Sequence, residues 1–397
     1  MPFTDLDLDV TDTEKAVYET AHKFAMEVMR PAGRELDELS PEEVIAQDSI
    51  FWEVQRKRKE LGLNDPSGGD TSLTPIQRAR LNYIVTEQMG YGDAGLAISF
   101  GVNGFPLNMA AVSGNADLMN MVKDNLTGCW AITEPNHGTD TLDFHGAIKA
   151  DEYSKWDCIA VKDGDNFVLN GQKSAWVSNG VVAEAAALFC GCDMGDGNVQ
   201  RAIFVIPLNL DGVSRGKNLN KIGQRALPQG EIFFDNVKFP LEYMAVPPDS
   251  YETVAHMVLC GANAGMGTIF AGVAQSALDL ALEYTKERVQ GGVPIFQHQS
   301  VKDRLFKMFQ KVETAKALNR RVQMYNAVNT PLLEYCICSK VTSTNAAFEV
   351  ASEAFGLFGG NGTSREYPIE KIFRDARSSM IEDGSNEELG LIAASRF

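Results

Sequence analysis

Cysteine pairs, a basic surface and a long apolar run are all missing from this chain of 397 residues, and each absence narrows what it can be. The seven cysteines, at positions 129, 158, 190, 192, 260, 336 and 338, are an odd number without a C-x-x-C, so neither a disulfide framework nor a zinc site is indicated. Reduced, mostly buried thiols are expected instead. The five histidines show no H-x-x-H or H-x-x-x-H spacing, which gives no metal site. Lys and Arg number 36 against 53 Asp and Glu, a formal charge of −17, so the basic patches that neutralise nucleic-acid phosphates or anionic lipid are not supplied. No run of 18 apolar residues occurs. The opening MPFTDLDLDV has neither the basic, apolar-cored layout of a secretory signal nor the Arg-rich, acid-poor make-up of an organellar one, and a cytoplasmic protein is expected.

What is present is an ordinary globular composition, 44% hydrophobic and 22% charged, in a length that implies two or three domains. From Thr11 a capping box with Glu14 opens a helical pattern at Val17, Ala21, Phe24 and Val28, which Pro31 stops. Helical spacing follows over 51–61 and 75–89, and residues 90–112 are apolar almost all round, which predicts a buried helix pair. Near Gly128 the texture changes to short β-rich runs. Residues 158–161, the turn Asp163-Gly164-Asp165-Asn166 and residues 167–170 read as a hairpin, with further strands over 185–190, 201–207 and 231–239. Strands at this spacing predict a β-barrel or sandwich-like domain. Helical period returns from Ser250 and holds through about 251–288, 299–326 and 332–358. The expected divisions are 1–126 (all-α), 127–240 (β) and 241–397 (all-α).

Three stretches carry chemistry. They are CWAITEPNHGTD (Cys129 to Asp140), GQKSAWVSNG (Gly171 to Gly180), and the C-terminal EYPIEKIFRDARSSMIEDGSNEE (Glu366 to Glu388), which follows FGGNG (Phe358 to Gly362). Taken singly, Thr-Glu-Pro is a turn, a strand Trp is core, and Asp-Gly shapes a loop. Taken functionally, a carboxylate at a helix end held by a Gly turn can serve as a general base once its pKa is lifted toward neutrality. Alternation along a strand would put Trp176 and Ser178 on one side.

Together and in this order, the stretches resemble the signatures of the acyl-CoA dehydrogenase family, over essentially the whole chain. The resemblance implies that family's α+β multidomain fold, with an N-terminal helical domain, a central β domain and a C-terminal four-helix bundle. It also implies FAD as cofactor, an acyl-CoA thioester as substrate, electron-transferring flavoprotein as the default acceptor, and a homotetramer built as a dimer of dimers. By resemblance Ile132 and Thr133 face the flavin, Thr139 lies beside flavin and thioester arm, and Trp176 and Ser178 pack on the reacting face. Arg288 and Gln299 carry over as contacts to the FAD of a neighbouring subunit, with Gly359 and Gly360 approaching its pyrophosphate and Ser385 a cofactor-contacting hydroxyl. Gly291 stands where Phe is usual, and Gly356 where Gln is frequent.

Asp383 aligns with the family's catalytic Glu, one methylene shorter and about 0.4 pKa units more acidic when unperturbed. Its neighbour Glu382, in place of a usual Tyr, is the competing base. Ala262 and Asn263 occupy the positions of an alternative Glu base and of an Arg that helps bind CoA, so Asn263 is the expected contact there. Ala97, Phe100 and Gly384 complete the substrate side. Ala97 stands where dicarboxylyl-specific members carry Arg, and 90–112 holds no cation, so a short, branched or alicyclic uncharged acyl group is expected. An enoyl-CoA reductase using the same site in reverse, or a non-catalytic flavoprotein subunit, remains the alternative.

Overall fold

The computed structural model describes residues 9–143 and 156–397. Eight helices come first: α1 (Asp12–Phe24), α2 (Arg30–Glu38), α3 (Pro41–Val44), α4 (Ile50–Glu60), α5 (Pro75–Gly92), α6 (Ala94–Asn103), α7 (Phe105–Ser113) and α8 (Ala116–Val122). Their starts are written in the sequence. Glu14 N donates to Thr11 Oγ1 (3.2 Å) while Thr11 N donates to the Glu14 carboxylate (2.7 Å), and Thr74 with Gln77 repeats the arrangement ahead of Pro75.

An eight-stranded mixed sheet follows, built from β1 (Gly128–Ala131), β2 (Ile159–Asp163), β3 (Asn166–Lys173), β4 (Ala185–Asp193), β5 (Val199–Pro207), β6 (Val213–Arg215), β7 (Ile232–Pro240) and β8 (Met244–Val246). The path runs β6-β7-β3-β2-β4-β5-β8, with β1 and β2 lying end to end along one edge of β4, both parallel to it. Asp163 pairs with Asn166, so the expected hairpin forms, with Gly164 at φ +60° in its two-residue loop. The sheet does not close into a barrel, because its terminal strands β6 and β8 are three residues long and do not pair with each other. Alternation on β4 and β5 divides two cores. Ala185, Ala187, Phe189, Ile203 and Val205 face helices, while Ala186, Leu188, Phe204 and Ile206 pack with Phe167, Leu169 and Phe239 inside the sheet domain.

Five more helices complete the chain: α9 (Pro248–Glu287), α10 (Gln299–Asn326), α11 (Leu333–Phe358), α12 (Ile369–Ser378) and α13 (Asn386–Ala394). One hydrophobic core joins α1, α5 and α6 to α9, α10, α11 and α12, so helices from the two ends of the chain pack as one body. α5 approaches α9 so closely that a Cβ on Gly90 would collide with Ile269 O and one on Gly272 with Glu87 O. These two glycines set the close approach of two helices that wall the site.

Candidate active site

Two cavities meet at one carboxylate. The first, of about 510 Å³, lies between α5, α6, α7 and the first half of α9, with Ala97, Phe100, Gly101, Gly261, Ala262 and Gly265 in its wall. The second, of about 620 Å³, lies against the sheet and is lined by Ile132, Thr133, Thr139, Trp176, Ser178 and Gly384 among others. Val102 and Asp383 border both, and Asp383 is the ionisable residue of the two.

The turn that carries Asp383 is held from three sides. Asp383 and Gly384 take φ values of +50° and +97°, a left-handed stretch that Asp tolerates better than most side chains and that turns the chain sharply into α13. Ser385 caps α13, accepting from Glu388 N (3.4 Å), while its own N–H donates to Thr139 Oγ1 (3.1 Å), tying the first sequence motif to the last. From below, the fully buried Lys340 of α11 donates through Nζ to Gly384 O and to Asn386 Oδ1, each at 2.8 Å.

Burial raises the Asp383 pKa above the ordinary carboxylate range, and the positive charge of Lys340 opposes that rise. Burial in turn lowers Lys340 to about 8, against the pull of Asp383, Glu382 and Glu387. The carboxylate is therefore made more basic than a surface Asp, yet kept ionisable. Glu382 is pushed up to about 7 by burial, opposed by a hydrogen bond from Gln224 Nε2 (2.9 Å) and by the Lys221 charge. It borders only the second cavity, with its carboxyl engaged by Gln224.

The structure brings Asp383, Ala97 and Phe100 to the first cavity and Ile132, Thr133, Thr139, Trp176, Ser178, Asp383 and Gly384 to the second, with Ser385 just behind the turn. Trp176 and Ser178 reach their cavity by a different route from the one expected. β3 ends at Lys173, and Trp176 sits in a turn in which its N–H donates to Ser174 Oγ (3.3 Å), leaving the indole 61% exposed. Asn263 is not brought to the substrate cavity. On α9 its side chain points into the core, fully buried, with Nδ2 donating to Leu259 O (3.1 Å), because one residue of helix turns it away from the face that presents Ala262, Gly265 and Met266. Arg288, Gln299, Gly359 and Gly360 are exposed and border neither cavity.

Four functional side chains went unread in the sequence. Lys340 holds the turn and Gln224, at φ +50°, links Glu382 to Asp375. Asn179, at φ +61° and fully buried, binds Ser99 O, Asn103 Oδ1 and Gly128 O and so fixes the Trp176 turn to α6. Arg58 of α4 enters the wall of the first cavity, which is therefore not free of cations although residues 90–112 are. The Glu of Thr-Glu-Pro has a structural use. Glu134 and Lys173, both fully enclosed, pair at 2.7 Å and bolt the first two motifs together.

Two family descriptions match the chain: "Acyl-CoA dehydrogenase, middle domain" over residues 129–237 and "Acyl-CoA dehydrogenase, C-terminal domain" over 254–397. A short-chain specific acyl-CoA dehydrogenase of Megasphaera elsdenii is 28% identical over 393 residues, covering 96% of this chain and 97% of its own. The butyryl-CoA dehydrogenase structure from Megasphaera elsdenii superposes with a TM-score of 0.85 at 27% identity, covering 98% of this chain and 99% of that one. A glutaryl-CoA dehydrogenase from Mycobacterium smegmatis in complex with FADH2 shares the fold, with a TM-score of 0.84 at 20% identity over 99% of this chain and 96% of that one.

Proposed function

We propose that this chain, which belongs to the acyl-CoA dehydrogenase family, uses Asp383 as the base that removes the α-proton of a short, branched or alicyclic acyl-CoA thioester. It is an oxidoreductase acting on CH-CH groups, and its cofactor is FAD. The second cavity fits that group. Its lining includes the exposed indole of Trp176 as a flat apolar surface, and two side chains with a buried polar atom that has no partner among the described residues, Trp130 Nε1 and Gln224 Oε1. Ile132, Thr133, Thr139, Trp176 and Ser178 would hold it. When bound, FAD supplies the two-electron oxidant for the β-carbon.

The observation that carries the reading is the place of Asp383 where the two cavities meet. An acyl chain in the first cavity, with its thioester at this junction, presents its α-carbon to the carboxylate. Asp383 takes the α-proton, and its raised pKa makes it a stronger acceptor than a solvated Asp. The N–H groups of Asp383 and Gly384 are not spent on hydrogen bonds within the described residues, so they are the donors this chain offers to a thioester oxygen gaining enolate character. Val102, which borders both cavities, puts an apolar side chain at the junction. Run in reverse, the same Asp383 would return a proton to the α-carbon, and the direction follows from the redox partner, for which electron-transferring flavoprotein is the proposed acceptor.

Glycine and alanine at 97, 101, 261, 262 and 265 leave breadth rather than a narrow tube, which supports a branched or cyclic acyl group and suits the shorter reach of Asp. Anaerobic mixing with straight, branched, cyclic and C16 acyl-CoA esters, followed by flavin bleaching, tests this. Fast bleaching by short, branched or cyclic esters is expected. Preference for C16 would overturn the acyl assignment, and bleaching only by free acids or amines would overturn CoA as the handle.

The exposed Arg288, Gln299, Gly359 and Gly360 fit contacts to a second subunit's cofactor, and the exposed Phe306 (63%) and Phe309 (49%) lie one turn apart on α10 as an uncovered apolar face. A homotetramer is the assembly we propose. Light scattering that gives a monomeric holoenzyme would remove it.

A further inference from the structure

Glu382 is a second carboxylate beside the junction, and the proton transfer assigned to Asp383 makes no use of it. It is half-buried and, of the two cavities, borders only the second. Its Oε2 accepts from Gln224 Nε2 (2.9 Å), while Oε1 accepts no hydrogen bond among the described residues. Lys221 borders the same cavity and donates through Nζ to Leu227 O (2.8 Å) and Gln229 Oε1 (2.7 Å). Gln229 in turn donates through Nε2 to Trp176 O (3.1 Å) and Ser178 Oγ (3.2 Å). The lysine thus stands on the hydrogen-bonded wall that carries two of the residues assigned to the cofactor, and Glu382 is joined by one peptide bond to the base. The groups that face Glu382 come from several elements. The charges of Lys221 and of Lys340 on α11 favour its ionised form, Asp383 opposes it, and Gln224 is neutral and bonded also to Asp375 of α12. Lys221 is itself lowered to about 8 by burial, against the pull of Glu382 and Asp375. With burial lifting Glu382 to about 7, one added charge in the cavity decides whether it holds a proton.

Substrate oxidation adds such a charge. The α-proton goes to Asp383, and the hydride from the β-carbon brings two electrons and one proton to the cofactor, so the second cavity gains one negative charge against a wall that includes Trp130, Ile132, Leu142 and Val177. Like charges in an apolar setting raise each other's pKa, and the ionised carboxylate that borders the cavity is the group to respond. We propose that Glu382 is a redox-linked proton site, which binds one proton from solvent when the cofactor in the second cavity gains the electron pair and returns it to solvent when the pair leaves to the acceptor. The step balances without a further oxidant or reductant: the hydride supplies both electrons, the solvent proton neutralises the Glu382 carboxylate, and the net charge beside the base is the same before and after. The inference rests on the second cavity as the FAD site and adds a residue that makes the potential of bound flavin depend on pH.

The test is the midpoint potential of the FAD-loaded enzyme as a function of pH, in the absence of acyl-CoA, together with proton uptake on photochemical reduction read by an indicator dye. Above about pH 7 Glu382 is ionised beside oxidised FAD, so its uptake should steepen the fall of potential in wild type by about 30 mV per pH unit relative to Glu382→Gln, one proton per electron pair. In the same range wild type should take up about one more proton per flavin than the variant. Toward the acid end, where the carboxyl is protonated in both redox states, the two lines should run parallel. Gln keeps the size of Glu and an oxygen that accepts from Gln224, and FAD content checks that the site is intact. Asp383→Asn should retain the extra proton. Equal slopes and equal uptake in wild type and Glu382→Gln overturn the proposal, as does an extra proton that survives Glu382→Gln and is lost in Asp383→Asn, and both results leave the FAD site standing. Failure of the wild-type protein to take up FAD overturns the cavity reading on which the proposal rests.

Discussion

Replacing Lys340 by Met separates positioning from mere packing. The ammonium gives two hydrogen bonds at 2.8 Å, to Gly384 O and Asn386 Oδ1, and bonds to charged groups contribute about 1.5–3 kcal/mol each. Against that loss, Met no longer requires an ammonium to be buried, a cost of several kcal/mol, so the net destabilisation should be only about 1–3 kcal/mol. The kinetic effect is more telling. Lys340 is the charge that opposes the burial-driven rise of the Asp383 pKa. Without it the pKa moves further up, and since the base acts deprotonated, the acid limb of the rate profile must move to higher pH. Stopped-flow flavin reduction in Lys340→Met should be slower than wild type at the acid end of the profile and recover toward it as pH rises. An acid limb that stays where wild type has it, accompanied by a loss of thermal stability, would show Lys340 to be structural and refute the reasoning.

Two further outcomes follow from the same geometry. A Cβ at Gly265 meets nothing within 4 Å, and the residue faces the acyl cavity in mid-helix, so Gly265→Leu should keep or raise stability by up to about 1 kcal/mol while excluding branched and cyclic esters, which a melting curve and the bleaching panel would check. Glu382, raised from 4.5 to about 7, holds its proton in the folded state over a range where the unfolded chain has lost it, so stability falls as pH rises through that window. Glu382→Gln should therefore stabilise the apoprotein by up to about 3 kcal/mol at pH 8 and leave it unchanged near pH 4, as read by urea denaturation at the two pH values.

Much of this arrangement was legible in the sequence because its signals are local. The Thr11 start, the Asp163 to Asn166 hairpin and the long helices after Ser250 depend on capping chemistry, a two-residue turn and helical period, and each forms within a residue or a few of where it reads. Barrel closure was not legible, because it depends on whether β6 meets β8, which no local pattern encodes. The strand assigned to Trp176 failed for a related reason. Asn179 satisfies its side chain with Ser99, Asn103 and Gly128, residues 51 to 80 positions away, and that network bends the chain out of the sheet. Asn263 was misplaced because a helix distributes neighbours over opposite faces.

The charged residues that shape the site left a readable trace that composition alone conceals. Arg58 follows Phe51, Val54 and Gln55 at stripe spacing, and Lys340 follows Leu333, Cys336 and Ile337 in the same way. A cation at an inward helical position must find a partner, a turn to hold or a ligand. Lys340 found the Asp383 turn, and Arg58 faces the cavity.

The central claim is that Asp383 is the α-proton base, and the direct measurement is single-turnover flavin reduction in Asp383→Asn beside Glu382→Gln, with the best acyl-CoA ester of the panel. Asn keeps the size of Asp and also tolerates the left-handed backbone at φ +50°, so the turn, FAD content and ester binding should be preserved. Reduction in Asp383→Asn should slow by about 10² to 10⁴, and in Glu382→Gln far less. Rapid reduction in Asp383→Asn together with its loss in Glu382→Gln would place the base one residue earlier and contradict the account.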